Sequence, residues 1–376
     1  MVRTEESRRA GRLSVALLRI LGVTAVYWGA GRLGLLKQVT FGEAVVTPLW
    51  PPTGIALAAL LRLGPGVWPG VTLGALAFVR TLGPLNTADI GIVAGNTLAP
   101  LCALLMLRKV AFRTQLDRLR DGVALVFLGA LGGMLVSATV GTASLLLGGR
   151  LPADDWWPTW SAWWAGDAMG VLVVTPLLLI LPRFRPPWNT RRWPEAVALV
   201  VVAAVVTPVA VMSPLSMLYL IFPVLIWAAL RFELAGSAPY VLFASVLAIS
   251  EATDSVGAFE GHTLVERMIS LQVLNGSAAL TSLLLAAIVT EQANVRLKIQ
   301  EACDDLAAVV WRLAPKEPGT GPVAGRAPDP ASGRAPGWAP GRAPEKPRPG
   351  TTSGRSGPEG RRSGAEGNGE EDGSCP

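Results

Sequence analysis

The sequence predicts an all-α protein, a polytopic integral membrane helix bundle of about eight to ten transmembrane helices with a disordered cytoplasmic tail. Three observations predict this fold class. Only 16% of the 376 residues are charged, where soluble domains carry about a quarter, and 51% are hydrophobic. Long apolar stretches recur between residues 13 and 290. Arginine and lysine gather in alternate loops between these stretches, which is typical of membrane topology.

Each apolar stretch approaches the length of about 20 residues that a helix needs to cross a bilayer. Because backbone polar groups cannot stay unpaired in lipid, each stretch is expected to be helical. A version with eight spans, in which 195–251 makes fewer passes, keeps the same orientation. The predicted spans are 13–30, 44–61, 66–82, 90–107, 122–147, 164–181, 195–212, 214–230, 236–251 and 268–290.

The basic residues of the loops fall mostly on one side when both termini are cytoplasmic. Basic clusters precede the first span and follow the fourth and sixth, and single arginines, Arg62 and Arg231, follow the second and eighth. The opposite loops are acidic, with Arg32, Lys37, Arg80 and Arg150 as the exceptions. The sequence therefore predicts a multi-pass protein of the cell (inner) membrane.

Changes of composition predict the organisation of the chain. The predicted parts are a basic cytoplasmic N-terminus at 1–12, a transmembrane domain at 13–292, an amphipathic linker helix at 293–314 and a tail at 315–376. The tail is rich in proline, glycine and arginine. It buries too little apolar surface to offset its chain entropy, so it is predicted to be disordered.

The linker helix carries a heptad pattern in which apolar residues recur at alternating spacings of four and three. The pattern is short for a coiled coil. It fits a helix lying against the cytoplasmic face, and it also fits a dimerising helix that transmits a signal. The predicted seam consists of Val295, Ile299, Ala302, Leu306, Val309 and Leu313.

Polar and tryptophan-rich groups gather in the predicted outer half of the bundle. The second, fourth and sixth spans begin on the outer side and the fifth ends there, so their polar residues share one leaflet. Such a set could form a pocket with aromatic walls and a few polar groups. The candidate ligand-binding residues are Trp50, Pro51, Pro52, Thr53, Asn96, Ser137, Thr139, Trp164 and Asp167.

Asp167 is the most informative of these residues, because a carboxylate near membrane depth is costly and marks a functional or a partnered site. It equally fits the first turn of its helix, where the helix dipole favours a negative charge. The tryptophans between Trp156 and Trp164 favour an interfacial aromatic belt over a ligand cage.

The chain offers little material for catalysis. It has one histidine, three widely spaced cysteines and no Walker-type loop. No catalytic residue, metal site or cofactor is therefore predicted, and the protein is not expected to be an enzyme. The net charge of +6 follows from membrane topology, so no nucleic-acid partner is expected.

Five motifs occur in one order along the spans, and their order is more specific than any one of them. They are WPPTG at 50–54, GNT at 95–97, SATVG at 137–141, a WW-x-GD-x-x-G-x-L-x-x-x-P pattern at 163–176, and WAALRF at 227–232, with a closing TEQ at 290–292. On these motifs the chain resembles MASE1, a membrane-associated sensor domain of bacterial histidine kinases and diguanylate cyclases. The chain departs from the pattern at Glu233, where the family usually has glycine.

The resemblance implies an integral membrane sensory domain that binds an unknown signal in its outer half. Residues 315–376 hold no phosphoacceptor helix, GGDEF-like turn or ATP lid, so the output is expected to lie on another chain or to have been lost. The implied partners are the lipid bilayer, a second copy bound through 291–313, and a separate histidine kinase or diguanylate cyclase. The alternatives are a small-solute transporter and a structural membrane partner for a separate signalling protein.

Overall fold

The structure is a computed structural model that describes residues 2–37, 39–41, 44–183, 192–213 and 217–313. Within these residues the chain is a bundle of helices, and the predicted all-α membrane fold is confirmed. Seven helical segments are long and apolar enough to cross a membrane, which makes the chain a multi-pass membrane protein. These segments are Leu13–Gly34, Thr87–Lys109, Leu119–Leu147, Ala153–Ile180, Trp193–Met212, Leu218–Asp254 and Glu266–Val310.

The first helix, α1, runs from Val2 to Gly34 and so contains the predicted span 13–30. A short 3-10 turn and a small hairpin follow it. The hairpin joins β1 (Val39–Phe41) to antiparallel β2 (Ala44–Val46), with Val39 opposite Val46. The sequence predicted helix from residue 44, but these residues are extended, in keeping with the β-branched valines that they contain.

Two predicted spans, 44–61 and 66–82, are shorter in the structure. Helix α2 is Pro51–Leu63 and α3 is Trp68–Arg80, and each has 13 residues. At 1.5 Å per residue each is about 20 Å long, less than the thickness of a bilayer core. Pro51 starts α2 because the first turn of a helix needs no backbone N–H donor.

Helix α4 is Thr87–Lys109, and the two spans after it contain π-helical turns. Helix α5 (Leu119–Ala124) continues through a π-helical segment, Leu125–Gly132, towards α6 (Leu135–Leu147). Helix α7 (Trp156–Met169) likewise continues through a π-helical segment, Gly170–Val174, into α8 (Thr175–Ile180). The two segments cover the predicted spans 122–147 and 164–181, and π-helical turns of this kind occur frequently at functional sites.

The predicted eighth and ninth spans form a helical hairpin. Helix α9 is Trp193–Met212, and α10 is Ile221–Asp254 with a non-helical residue, Glu233, at φ 53° and ψ −142°. The Tyr240 hydroxyl donates a hydrogen bond of 3.2 Å to the carbonyl of Ile221, 19 residues earlier. A straight helix would separate these residues by about 28 Å, so the chain reverses at Glu233.

The last helix, α11, is Leu264–Leu313 and has 50 residues, a length of about 75 Å. It joins the predicted span 268–290 and the predicted linker helix 293–314 into one continuous element. Its side chains are almost all exposed from Glu291 to Val310. The tail at 315–376, predicted to be disordered, lies outside the described residues.

Hydrogen bonds and an ion pair near the loops show which residues lie at each end of the bundle. At one end Arg62 donates to the carbonyl of Leu178 at 3.2 Å, and the backbone N–H of Leu119 donates to Glu291 at 3.0 Å. Arg62, Leu119 and Glu291 belong to loops that the sequence placed on one side of the membrane, and Leu178 lies near the end of the predicted sixth span on that side. Asn86, Asp89 and Arg150, from loops predicted on the opposite side, meet at the other end.

Candidate functional site

Asp167 is the centre of a buried polar cluster. Its side chain is 1% exposed and lies where α2, α6 and α7 meet. The Thr53 hydroxyl donates to Asp167 Oδ1 at 2.6 Å, and the Ser137 hydroxyl contacts Oδ2. The Trp163 side chain lines the same cavity as Asp167. Three side chains from the predicted set, Thr53, Ser137 and Asp167, are therefore in direct contact.

The Ser137 hydroxyl lies within hydrogen-bonding distance of two acceptors. It also lies 3.0 Å from the carbonyl of Met134, so its single proton is shared between that carbonyl and Asp167. The Thr53 hydroxyl has no other acceptor among the described residues. Both oxygens of the Asp167 carboxylate therefore accept a hydrogen bond.

Small residues bring the backbones of α2 and α7 together beside Asp167. The backbone N–H of Trp50, which precedes α2, donates to the carbonyl of Gly166 at 3.0 Å. A Cβ added at Gly170 would overlap the carbonyl of Trp50, and one added at Gly54 would overlap the carbonyl of Gly170. Glycine is required at these positions because the two backbones touch, and the contact fixes Thr53 against Asp167.

A cavity of about 710 Å³ opens next to the cluster. Its wall includes Asp167, Asn96 and three aromatic side chains, Trp50, Phe78 and Trp163. The rings of Trp50 and Phe78 meet edge to face with centroids 4.9 Å apart. Asn96 is 8% exposed, and its amide makes no hydrogen bond within the part of the chain that the structure describes. The volume is that of a site for a small organic molecule.

An ion pair stands at the loop end of the cavity. Asn86 and Asp89 form a reciprocal capping box at the start of α4, and Arg150 lies 3.3 Å from Asp89. Sequence reasoning missed both Asp89 and Arg150 as cavity residues. The N-x-x-D spacing before an apolar helix is a capping signal that could have identified Asp89, but no local pattern connects it to Arg150.

The remaining predicted residues do not line this cavity. Pro51 and Pro52 form the first turn of α2 beneath Trp50. Thr139 accepts a hydrogen bond of 3.1 Å from the indole of Trp160, and the indole of Trp164 donates to the carbonyl of Leu131 at 2.9 Å. The structure thus places Trp50, Asn96 and Asp167 in the cavity wall, places Thr53 and Ser137 behind it, and leaves Thr139 and Trp164 elsewhere.

Four tryptophans form a row of stacked rings along α7. Their neighbouring centroids are 5.1–6.2 Å apart, and Trp157 is 63% exposed. The fifth, Trp163, turns to the cavity instead. The row is partly buried, with Trp157 as its exposed member, and fits an interfacial belt, whereas Trp163 has the position of a ligand contact. The row consists of Trp156, Trp157, Trp160 and Trp164.

Helix α11 connects the cavity end with the opposite end of the bundle. The Gln272 amide donates to the carbonyl of Pro48 at 3.3 Å, two residues before Trp50. Nineteen residues later Glu291 accepts a hydrogen bond from the backbone N–H of Leu119. Beyond Glu291 the seam residues Val295, Ile299, Leu306 and Val309 are 48–65% exposed, and Ala302 is exposed as well. The side chain of Leu313 lies outside the described residues.

The described residues contain no group of three or more histidine, cysteine, aspartate or glutamate side chains that could hold a metal ion. Cys102 and Cys303 are free thiols. A carboxylate, an amide and aromatic rings face one cavity, and this combination suits the binding of a small molecule.

The sequence model of the family described as MASE1 matches residues 17–293, which is most of the chain. The resemblance seen in the motifs is confirmed. The chain is also similar to the probable diguanylate cyclase DgcE of Escherichia coli (strain K12), with 29% identity over 210 residues. That alignment covers 52% of this chain and 18% of the length of DgcE. No solved structure matches the chain.

Proposed function

The chain belongs to the MASE1 family of membrane sensory domains, and we propose that the cavity beside Asp167 is where it receives its signal. The observation that carries the proposal is the convergence of the Thr53 and Ser137 hydroxyls on one buried carboxylate in a cavity wall. Burying a carboxylate in a membrane protein is costly, and that cost favours a role in binding. Asn96, buried with a free amide, adds a second polar group for a ligand.

In this proposal the cavity faces the outside of the cell membrane, and both termini lie in the cytoplasm. The positive-inside rule supports this orientation. Arg62, Arg231 and the loop that ends at Leu119 carry their positive charges at the end opposite the cavity. Signals from outside the cell then reach the cavity directly.

The proposed route from the cavity to the cytoplasm is α11. A ligand that contacts Trp50 and Asp167 biases the position of the 47–50 segment. Gln272 is hydrogen-bonded to that segment, so α11 responds to its movement. The helix is continuous from Leu264 to Leu313, so a displacement at Gln272 reaches the seam. Two packings of the bundle that differ in their affinity for the ligand are sufficient to transmit the signal.

The proposed output is association through the seam. The exposed residues Val295, Ile299 and Leu306 lie on one face of a helix that projects beyond the bundle. Apolar residues at heptad spacing are stabilised by packing against a second helix. We infer a homodimer through 291–313 that controls a histidine kinase or diguanylate cyclase on a separate chain, with no catalysis by the sensory domain itself. The similarity to a probable diguanylate cyclase supports this choice of partner.

Disulfide crosslinking in native membranes tests the route. The full chain carries Ala302→Cys in the seam, with Cys303→Ser to remove the neighbouring thiol. We expect crosslinked dimers, because facing seam residues approach closely in a parallel coiled coil. Asp167→Asn should change the crosslinking rate at least about twofold, since α11 then samples its two positions differently. Val295→Pro should abolish the dependence on Asp167 by breaking the helix.

A matched control uses Leu297→Cys, which lies on the face of the same helix away from the seam and is 59% exposed. It should crosslink at a low rate that does not depend on Asp167. Equal crosslinking at 297 and 302, or a rate at 302 that Asp167→Asn leaves unchanged, would contradict the proposed route.

A further inference from the structure

The cavity beside Asp167 has a charge balance that selects a class of ligand. Among the described residues of its wall, three carry formal charges: Asp89, Arg150 and Asp167. Asp89 and Arg150 lie 3.3 Å apart and offset each other. The side chains hydrogen-bonded to Asp167 are the hydroxyls of Thr53 and Ser137, which are neutral. Among the described wall residues, an ionised Asp167 therefore contributes a charge of about minus one that no opposite charge offsets, at the buried end of the cavity.

The walls around this charge are aromatic. Trp50, Phe78 and Trp163 line the cavity, and the edge-to-face contact of Trp50 with Phe78 holds both rings in place. Aromatic faces attract organic cations through their quadrupole, and the attraction is larger when the cation is desolvated. The other wall residues, among them Ile92 and Leu145, are apolar. A ligand that fits must combine a cationic head with an apolar body.

Asn96 supplies the second, independent observation. The residue is 8% exposed and lines the cavity, and its side-chain amide makes no hydrogen bond with any described residue. An amide that faces a cavity without a protein partner is available to hydrogen-bond a ligand and to fix its orientation. The amide oxygen can accept a hydrogen bond from an ammonium group, and the amide nitrogen can donate to a hydroxyl or carbonyl.

We propose that the cavity binds an organic ammonium compound, with the ammonium group at Asp167, its N–H groups within reach of Asn96 and its apolar body between Trp50, Phe78 and Trp163. The ligand is the signal of the sensor proposed above, so the inference rests on that function. The ammonium group could belong to a soluble amine or to the head group of an ethanolamine lipid. Both sources have the same recognition chemistry.

The test is equilibrium binding to the full-length protein in nanodiscs of phosphatidylglycerol. The probes are phenethylamine, its neutral counterpart phenylethanol and its anionic counterpart phenylacetate, which have one ring and similar size. We expect saturable binding of phenethylamine and affinity for the other two at least about tenfold lower. Asp167→Asn should weaken amine binding on the order of tenfold to a hundredfold, because the cation then has no buried counter-charge.

Asn96→Ala provides a second variant that leaves the Asp167 cluster intact, and we expect about threefold to tenfold weaker amine binding. It keeps the proposal testable if Asp167→Asn does not fold. The control is Trp157→Phe in the exposed row of tryptophans, which should leave amine affinity unchanged. Nanodiscs that also contain phosphatidylethanolamine separate the two sources. If phosphatidylethanolamine competes with phenethylamine, the ligand is a lipid head group. If it does not compete, the ligand is a soluble amine.

Two results would overturn the proposal. One is phenylethanol binding as tightly as phenethylamine, which would remove the role of charge but leave the cavity as the receiving site. The other is no saturable amine binding up to about 10 mM, a concentration at which even weak specific sites fill. Neither result bears on the seam crosslinking experiment, which tests the proposed sensory function without reference to the chemistry of the ligand.

Discussion

At the scale of single residues, the sequence predicts which residues form the Asp167 cluster but not the contacts between them. Thr53, Ser137 and Asp167 could be selected from the sequence because each is polar and shares a predicted depth in the membrane. Their contact is a property of helix packing, which sequence depth does not determine. The pair of Asp89 and Arg150 could not be predicted, because 61 residues separate them and each belongs to a different loop.

The glycine at position 170 gives the first residue-scale prediction. In Gly170→Ala the new Cβ would overlap the carbonyl of Trp50, which belongs to the backbone and cannot rotate away. We expect a loss of folding stability of about 1–3 kcal/mol, measured as a lower thermal midpoint in detergent. Gly22→Ala is the matched control, because nothing lies within 4 Å of a Cβ there. Equal midpoints for the two variants would contradict the close contact of α2 and α7.

At the scale of elements, the apolar pattern predicted where helices lie but not where they start. Hydropathy measures the length of an apolar stretch, so 44–61 and 66–82 were predicted as full spans. The structure begins α2 at Pro51 and α3 at Trp68, because proline occupies the first turn of each. The π-helical segments were also beyond prediction. They add one residue per turn without changing composition.

The hairpin of α10 explains why glycine is favoured at position 233, where this chain has glutamate. The residue has φ 53° and ψ −142°, a backbone region that glycine adopts far more readily than any residue with a Cβ. Glycine, which the MASE1 motif usually has there, suits the turn better. We therefore predict that Glu233→Gly raises folding stability by about 1–3 kcal/mol, measured by thermal unfolding in detergent.

The same substitution elsewhere in α10 is the control for this prediction. Glu251 has a regular helical backbone, and Glu251→Gly should lower stability by about 1 kcal/mol because glycine loses more chain entropy in a helix. Stabilisation at 251, or destabilisation at 233, would show that the turn is not the strained point of the hairpin.

At the scale of the whole molecule, α11 contacts both ends of the bundle and then continues beyond it. Gln272 meets the segment before α2 at the cavity end, and Glu291 meets the start of α5 at the other. The sequence predicted the last span and the heptad seam separately. Their union in one helix of 50 residues gives a physical path between a buried cavity and an exposed seam.

The orientation of this path gives a prediction for the whole molecule. Leu85 lies at the loop end of the cavity and is 50% exposed, and Cys303 is exposed on the projecting part of α11. In intact cells a membrane-impermeant maleimide should label Leu85→Cys in a chain whose other cysteines are serine. Cys303, as the sole cysteine, should be labelled only after permeabilisation, because the positive-inside rule places the Arg62 end in the cytoplasm. Labelling of Cys303 in intact cells would reverse the orientation and turn the cavity towards the cytoplasm.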